Sequence, residues 1–266
     1  MKKYKIGFIG CGNMASAIIR GLIENAGVTP ARIFVSDISK DATVKAVETF
    51  GVQASESTVI AKAADILFLS VKPQFYEDVI SEIRTSVTKD KIIITIAPGK
   101  TLTWLREKFG KVVKLVRTMP NTPALVGAGI TGVCRNSNVL DSEYEDVLAL
   151  LSSFGKAEDI PERLMDAVVS VSGSSPAYVF MFIEAMADAA VADGMPRAQA
   201  YRFAAQAVYG SAKMVLDTGK HPGELKDMVC SPGGTTIEAV KVLEEKGFRA
   251  AVMDAMEACT KKAKGL

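Results

Sequence analysis

The stretch Ile6-Gly7-Phe8-Ile9-Gly10-Cys11-Gly12-Asn13-Met14-Ala15 decides the fold. Strand-favouring residues run directly into Gly-x-Gly-x-x-Ala, and a helical pattern opens at Met14. In that order the residues form a phosphate-binding unit. Gly10 makes the tight turn, Gly12 lets the backbone approach a pyrophosphate, and small Ala15 lets the helix lie close to the strand. The phosphates then meet the positive end of the helix dipole. Structural glycines are the alternative, but the position in a first strand-to-helix turn favours dinucleotide binding.

Outward from this turn, short β-branched runs alternate with helical patterns as far as residue 160. Strands are predicted at Tyr4–Ile9, Ile33–Ser36, Ile66–Val71, Ile92–Ile96, Val112–Val116 and Ile130–Cys134. Helices are predicted between them at Met14–Asn25, Asp41–Phe50, Phe75–Ser86, Leu102–Phe109 and Ser142–Phe154. This rhythm specifies an α/β domain with a doubly wound, mainly parallel sheet, the Rossmann type. After Pro161 the strand signals stop, and Ala, Met, Leu and Val recur at helical spacing through Glu162–Asp193, Arg197–Asp217, Thr235–Glu245 and Phe248–Lys264. The expected organisation is a dinucleotide-binding domain over 1–160 and an all-helical domain over 161–266. The stripe Met181, Phe182, Ala185, Met186, Ala189 and Ala190 suits core packing or burial against a second copy, so at least a homodimer is expected.

Charge and cysteine content exclude several classes. The 266 residues carry 32 basic and 30 acidic side chains, scattered along the chain, which speaks against nucleic acid and membrane surfaces as partners. Cys11, Cys134, Cys230 and Cys259 lie far apart with His221 as the sole histidine, so neither a metal site nor a disulfide framework is expected. The start runs straight into a strand pattern with no apolar leader, and no long uncharged apolar run is evident, so a cytoplasmic protein is expected.

Asp37 closes the second strand, 22 residues after Ala15, where a carboxylate accepts hydrogen bonds from ribose hydroxyls and repels a 2′-phosphate. Neighbouring Ser36, Ser39 and Lys40 could instead cradle a phosphate, and Asp37 could serve only as a helix cap. Leu69-Ser70-Val71-Lys72-Pro73 and Ile96-Ala97-Pro98-Gly99 end two further strands and belong to the same crevice. Lys72 either reaches a ligand or is an ordinary exposed lysine. Asn121, between Pro120 and Thr122-Pro123, bonds a ligand or its own turn.

In the helical half, Ser172-Gly173-Ser174-Ser175-Pro176-Ala177-Tyr178 breaks a long helical pattern, which kinks the helix and frees polar groups for a ligand. Val229-Cys230-Ser231-Pro232-Gly233-Gly234-Thr235-Thr236 joins glycines and small hydroxyls to a helix start. Read alone it is an ordinary capped turn or a trap for a small carboxylate.

Taken together, Gly10-x-Gly12-x-Met14-Ala15, Val71-Lys72-Pro73, Met119-Pro120-Asn121-Thr122-Pro123, Ser172 to Tyr178, His221-Pro222-Gly223-Glu224-Leu225-Lys226-Asp227 and Ser231 to Thr236 resemble the pyrroline-5-carboxylate reductase family over essentially the whole chain. The resemblance implies hydride transfer from NADPH or NADH to the imine carbon of (S)-1-pyrroline-5-carboxylate, giving L-proline in the last step of proline biosynthesis. It places the substrate carboxylate on Ser231, Gly233, Gly234, Thr235 and Thr236, with the Thr236 hydroxyl at the imine nitrogen as catalytic partner. Ser174 and Ser175 are implied to lie near substrate and nicotinamide. The cofactor is expected to contact Gly10, Cys11, Gly12, Asn13, Met14, Ala15, Ser36, Asp37, Ser57, Ser70, Val71, Lys72, Pro73, Ala97, Gly99 and Asn121. The homodimer is expected to extend to a larger homo-oligomer.

A protonated imine needs no strong acid nearby, which matches the absence of lysine from Ala157 to Ala212. That same absence argues against a β-hydroxyacid dehydrogenase-like oxidoreductase, which needs a proton-transferring group, usually a helical lysine. A non-catalytic dinucleotide-binding module is the other alternative, but it has no use for a second anion turn. Asp37-Ile38 departs from the basic or uncharged residue that many members of the family present there, so NADPH and NADH both stay open.

Overall fold

The computed structural model describes residues 4–265. Eight strands form one sheet: β1 (Ile6–Ile9), β2 (Ile33–Ser36), β3 (Gln53–Ala54), β4 (Ile66–Leu69), β5 (Ile92–Thr95), β6 (Lys114–Met119), β7 (Gly129–Arg135) and β8 (Gly155–Asp159). Their order is β3-β2-β1-β4-β5-β6-β7-β8, parallel throughout except for the antiparallel pair β6 and β7. The chain winds outward from β1 to β3 and then returns to place β4 on the other side of β1. This puts the switch of direction, where such sheets bind ligands, at the carboxyl ends of β1 and β4.

Strand composition explains why both faces are covered. In β1 and β4, Ile6, Phe8, Ile66 and Phe68 enter one apolar core, while Ile9, Leu67 and Leu69 enter the other. All are buried, as a parallel sheet between two helical layers requires. Phe8 and Phe68, opposite each other in the β1–β4 register, stack with ring centroids 4.7 Å apart.

Helices α1 (Asn13–Glu24), α2 (Lys40–Phe50), α3 (Ser57–Ala63), α4 (Tyr76–Ile83), α5 (Leu102–Phe109) and α6 (Asp141–Leu151) connect the strands. The sequence reading missed α3 and the two strands β3 and β8, and placed the sixth strand two residues too early. β3 is two exposed residues, and β8, Gly-Lys-Ala-Glu-Asp, carries no apolar alternation. Both exist because a neighbouring strand offers its edge rather than through their own propensity.

The helical part begins with a 3₁₀ turn at Glu162–Leu164, α7 (Met165–Val168) and a π-helical turn at Val169–Gly173. It continues with α8 (Ser175–Ala192), α9 (Arg197–Thr218), α10 (Pro222–Val229), α11 (Thr235–Glu245) and α12 (Phe248–Ala263). Where a kink was expected the chain forms this π turn, with Pro176 in the first turn of α8, where a missing N–H costs nothing. Helix α10 was not foreseen. His221 caps it, its Nδ1 accepting from Gly223 N–H at 3.0 Å.

The chain divides into two compact units, one running through Ser174 and resuming at Cys259, the other Ser175–Ala258. In the second, α8 packs on α9, and Phe182 meets Phe248 with ring centroids 6.1 Å apart. Much apolar surface stays exposed there, including Phe180, Met181, Phe203, Tyr209, Leu216 and Met253. By length and composition alone Glu162–Ala192 is long and apolar enough to cross a membrane, a test that the core helix of a soluble protein also passes.

Candidate functional site

In the first unit the carboxyl ends of β1, β2 and β4 converge on Gly10. Its N–H donates to Ser36 O at 2.7 Å, and Ser70 N–H donates to Ile9 O at 2.8 Å. Gly10 has φ +104°, and a Cβ there would lie 2.6 Å from the Ser70 carbonyl. Both conformation and space therefore demand glycine.

Gly12 differs. It is extended backbone, φ −70° and ψ −176°, and a Cβ on it would meet nothing within 4 Å. Nothing in the protein's own packing requires glycine at this position. Gly12 is the N-cap of α1, whose first turn carries no acidic residue and no side-chain cap. The N–H groups at that helix end are available to an anion, and Gly12 leaves the approach open. Asn13 and Met14 form the first turn behind it, and Ala15 is buried in the core.

The turn is tied to β2 through a carboxylate. Cys11 N–H donates to Asp37 Oδ2 at 2.7 Å, and Ser39 N–H donates to Oδ1 at 2.9 Å. Ser36 Oγ and Ser57 Oγ, the latter at the start of α3, are 3.0 Å apart. Burial, with Asp37 adding to it, pushes the Cys11 thiol up to about 11, so Cys11 is no nucleophile at neutral pH.

A cavity of about 380 Å³ opens beside these groups, lined by Gly10, Ser36, Asp37, Ser57 and Val71 together with Ile9, Ile38, Phe75, Asp78, Val79 and Glu82. The second group escaped the sequence reading. Asp78 and Glu82 are charged residues on an exposed helical face, a pattern that usually means only solvent. The available signal was their helix, which follows directly on the strand at the switch point. The residues fit a dinucleotide: open approach at Gly12, an uncapped helix end, and a buried Ser70 hydroxyl with no hydrogen-bond partner among the described residues.

The remaining expected cofactor positions are less uniform. Lys72 is exposed and caps the short 3₁₀ turn that begins at Pro73. Ala97 is buried just past the end of β5, and Gly99 follows in the same loop. Asn121 is buried with its Oδ1 accepting from Ile130 N–H at 2.9 Å, so what it can offer a ligand is its amide N–H₂.

Ser174 closes the π turn, its N–H donating to Val169 O at 2.8 Å, and its Oγ accepts from the Cys259 thiol at 3.1 Å. Ser175 begins α8.

In the second unit, α10 ends at Cys230 and the chain turns through Ser231-Pro232-Gly233-Gly234 into α11. Gly233 adopts φ +68°, and Gly234 N–H donates to Ser231 O at 3.0 Å. A Cβ on Gly234 would lie 2.4 Å from Ser231 Oγ, so glycine makes room for that hydroxyl. Gly234 is the N-cap of α11 and supplies no side-chain cap; Thr235 and Thr236 occupy the first turn, with Glu238 the one acidic residue there. Backbone donors and three hydroxyls thus surround one helix N-terminus, which suits a single carboxylate.

Comparison with known proteins agrees with both halves. Residues 5–99 match the family model described as NADP oxidoreductase coenzyme F420-dependent, and residues 162–266 match the one described as pyrroline-5-carboxylate reductase dimerisation. The chain is 59% identical to pyrroline-5-carboxylate reductase of Escherichia coli over 98% of both sequences, and 41% identical to that of Arabidopsis thaliana over 100% of this chain and 96% of the relative. Among solved structures it resembles the Plasmodium falciparum pyrroline carboxylate reductase with NADP bound, with a TM-score of 0.91, 33% identity, and 100% and 98% of the two chains covered. The chain belongs to the pyrroline-5-carboxylate reductase family, NAD(P)H-dependent oxidoreductases acting on the imine C=N of their substrate.

Proposed function

We propose that the turn Ser231–Thr236 holds the carboxylate of (S)-1-pyrroline-5-carboxylate and that Thr236 is the catalytic partner of the imine nitrogen. The observation that carries this reading is the N-terminus of α11, with no side-chain cap and with Gly234 kept bare beside Ser231 Oγ. When bound, the reduced nicotinamide supplies the hydride to the imine carbon.

The chain's own residues do the rest. Backbone N–H groups at Thr235 and Thr236, with the Ser231 hydroxyl, fix the carboxylate and so orient the planar ring. The Thr236 hydroxyl holds the proton at the ring nitrogen as the C=N bond becomes a single bond. Gly12 and the first turn of α1 hold the pyrophosphate, and Asp37 holds the adenosine ribose. Ser174 and Ser175 contribute hydroxyls to substrate and nicotinamide, and Lys72, Ala97 and Asn121 border the cofactor.

The domain division at 160/161, a homodimer that extends to a larger homo-oligomer, and a cytoplasmic location complete the proposal. The dimerisation match over residues 162–266 and the exposed Phe180, Met181 and Phe203 support the oligomer, since a second copy would cover that apolar surface.

Substrate truncation tests the reading. The ring lacking its carboxylate, 1-pyrroline, is expected to be reduced with kcat/KM lower by about 10²-fold or more, because a charge-assisted grip is lost. Equal kcat/KM for the two rings contradicts the carboxylate role of the turn.

A further inference from the structure

We infer that this reductase selects NADH over NADPH, through three carboxylates, Asp37, Asp78 and Glu82, that line the cavity at the end of β2. The inference rests on the reductase reading and names its cofactor.

A carboxylate at the end of the second strand is where the adenosine ribose is gripped. Asp37 is pinned by two backbone donors, Cys11 N–H on one oxygen and Ser39 N–H on the other. Each oxygen keeps a lone pair for a ribose hydroxyl, and the group cannot swing aside without breaking the turn. Asp78 and Glu82 add two more charges from one face of α4, a helical turn apart.

Nothing on the lining balances them. Among the described residues it contains three acidic and no basic side chains; Lys40 and Lys72, near in sequence, are not part of it. The two hydroxyls present, Ser36 and Ser57, are paired with each other, and Ile38 adds an apolar face beside Asp37. A 2′-phosphate brings a charge of about −1.5 to −2 and three acceptor oxygens. It would meet like charge and few donors, whereas a free 2′-hydroxyl meets an acceptor.

Separate titration of the unliganded protein with NADH and NADPH, by calorimetry at low ionic strength, tests this. NADH is expected to bind at least about tenfold more tightly, with the ratio shrinking as salt screens the exposed carboxylates. The double variant Asp78→Asn/Glu82→Gln leaves the glycine turn untouched, and Asp37→Asn keeps an acceptor while removing charge. Each is expected to lower the ratio of Kd for NADPH to Kd for NADH several-fold. Equal affinities, tighter NADPH, or an unchanged ratio in both variants overturns the inference while leaving the reductase reading intact. Binding of neither dinucleotide overturns both.

Discussion

Cys11 N–H donates to Asp37 Oδ2 at 2.7 Å, so the glycine-rich turn after β1 is locked to the end of β2 by a carboxylate. Asp37, expected either to bind ribose or to cap a helix, also clamps the glycine-rich turn. Replacing it with alanine strands two backbone donors. Asp37→Ala is expected to lower unfolding stability by about 1–3 kcal/mol, with Asp37→Asn recovering part of the loss. Denaturant unfolding measures it, and an unchanged midpoint for Asp37→Ala would show that the clamp carries no energy.

The two motif glycines are expected to fail differently. Gly10→Ala places a Cβ 2.6 Å from Ser70 backbone at φ +104°. Strain and overlap of that kind destabilise by about 3 kcal/mol or more. Gly12→Val enters open space, so the fold should persist while dinucleotide binding is lost. Thermal unfolding paired with a binding titration separates the cases; normal binding by Gly12→Val removes the pyrophosphate from that turn.

Much of the first unit was legible because its signals are local. Ile6–Ile9 followed by Gly10 and Gly12 specifies strand, turn and helix without help from the rest of the chain. The strand Gly155–Asp159 was not legible, since its polar residues pair only because β7 lies beside them. The π turn at Val169–Gly173 reads in sequence like any helix, the difference being one residue of register that only packing reveals. At the site, Gly234 was visible as a turn glycine, but its reason, the Ser231 hydroxyl 2.4 Å from where a Cβ would stand, was not.

That close approach is itself testable. Gly234→Ala is expected to raise KM for the imine carboxylate about tenfold by displacing Ser231 and the helix start it lies against. Adding Ser231→Ala removes the overlapping oxygen. A double variant no better than the sum of the singles would show that the two residues act independently.

Thr236→Ala is expected to lower turnover by about 10- to 10³-fold, the range for one positioned proton donor, with dinucleotide Kd unchanged and Thr236→Ser largely restoring activity. Stopped-flow single turnovers measure the step. Full turnover by the alanine variant takes Thr236 out of the reaction.

Burial pushes the Cys11 and Cys134 thiols up to about 11 and about 12 from an ordinary 9.0. A thiol whose pKa is raised on folding stabilises the native state fully below its unfolded value. That contribution is lost as pH climbs through the window from 9.0 towards 11 and 12. Native protein is therefore expected to leave both unalkylated by iodoacetamide at pH near 8 and to expose them on unfolding. Peptide mass spectrometry reads the sites; rapid native labelling of Cys11 would contradict its burial.

The central claim is tested most directly by giving the purified protein pyrroline-5-carboxylate with NADH and, separately, with NADPH. Loss of the reduced nicotinamide absorbance and formation of proline are followed together. Oxidation of cofactor in step with proline is the expected result, and no oxidation with either cofactor would contradict it.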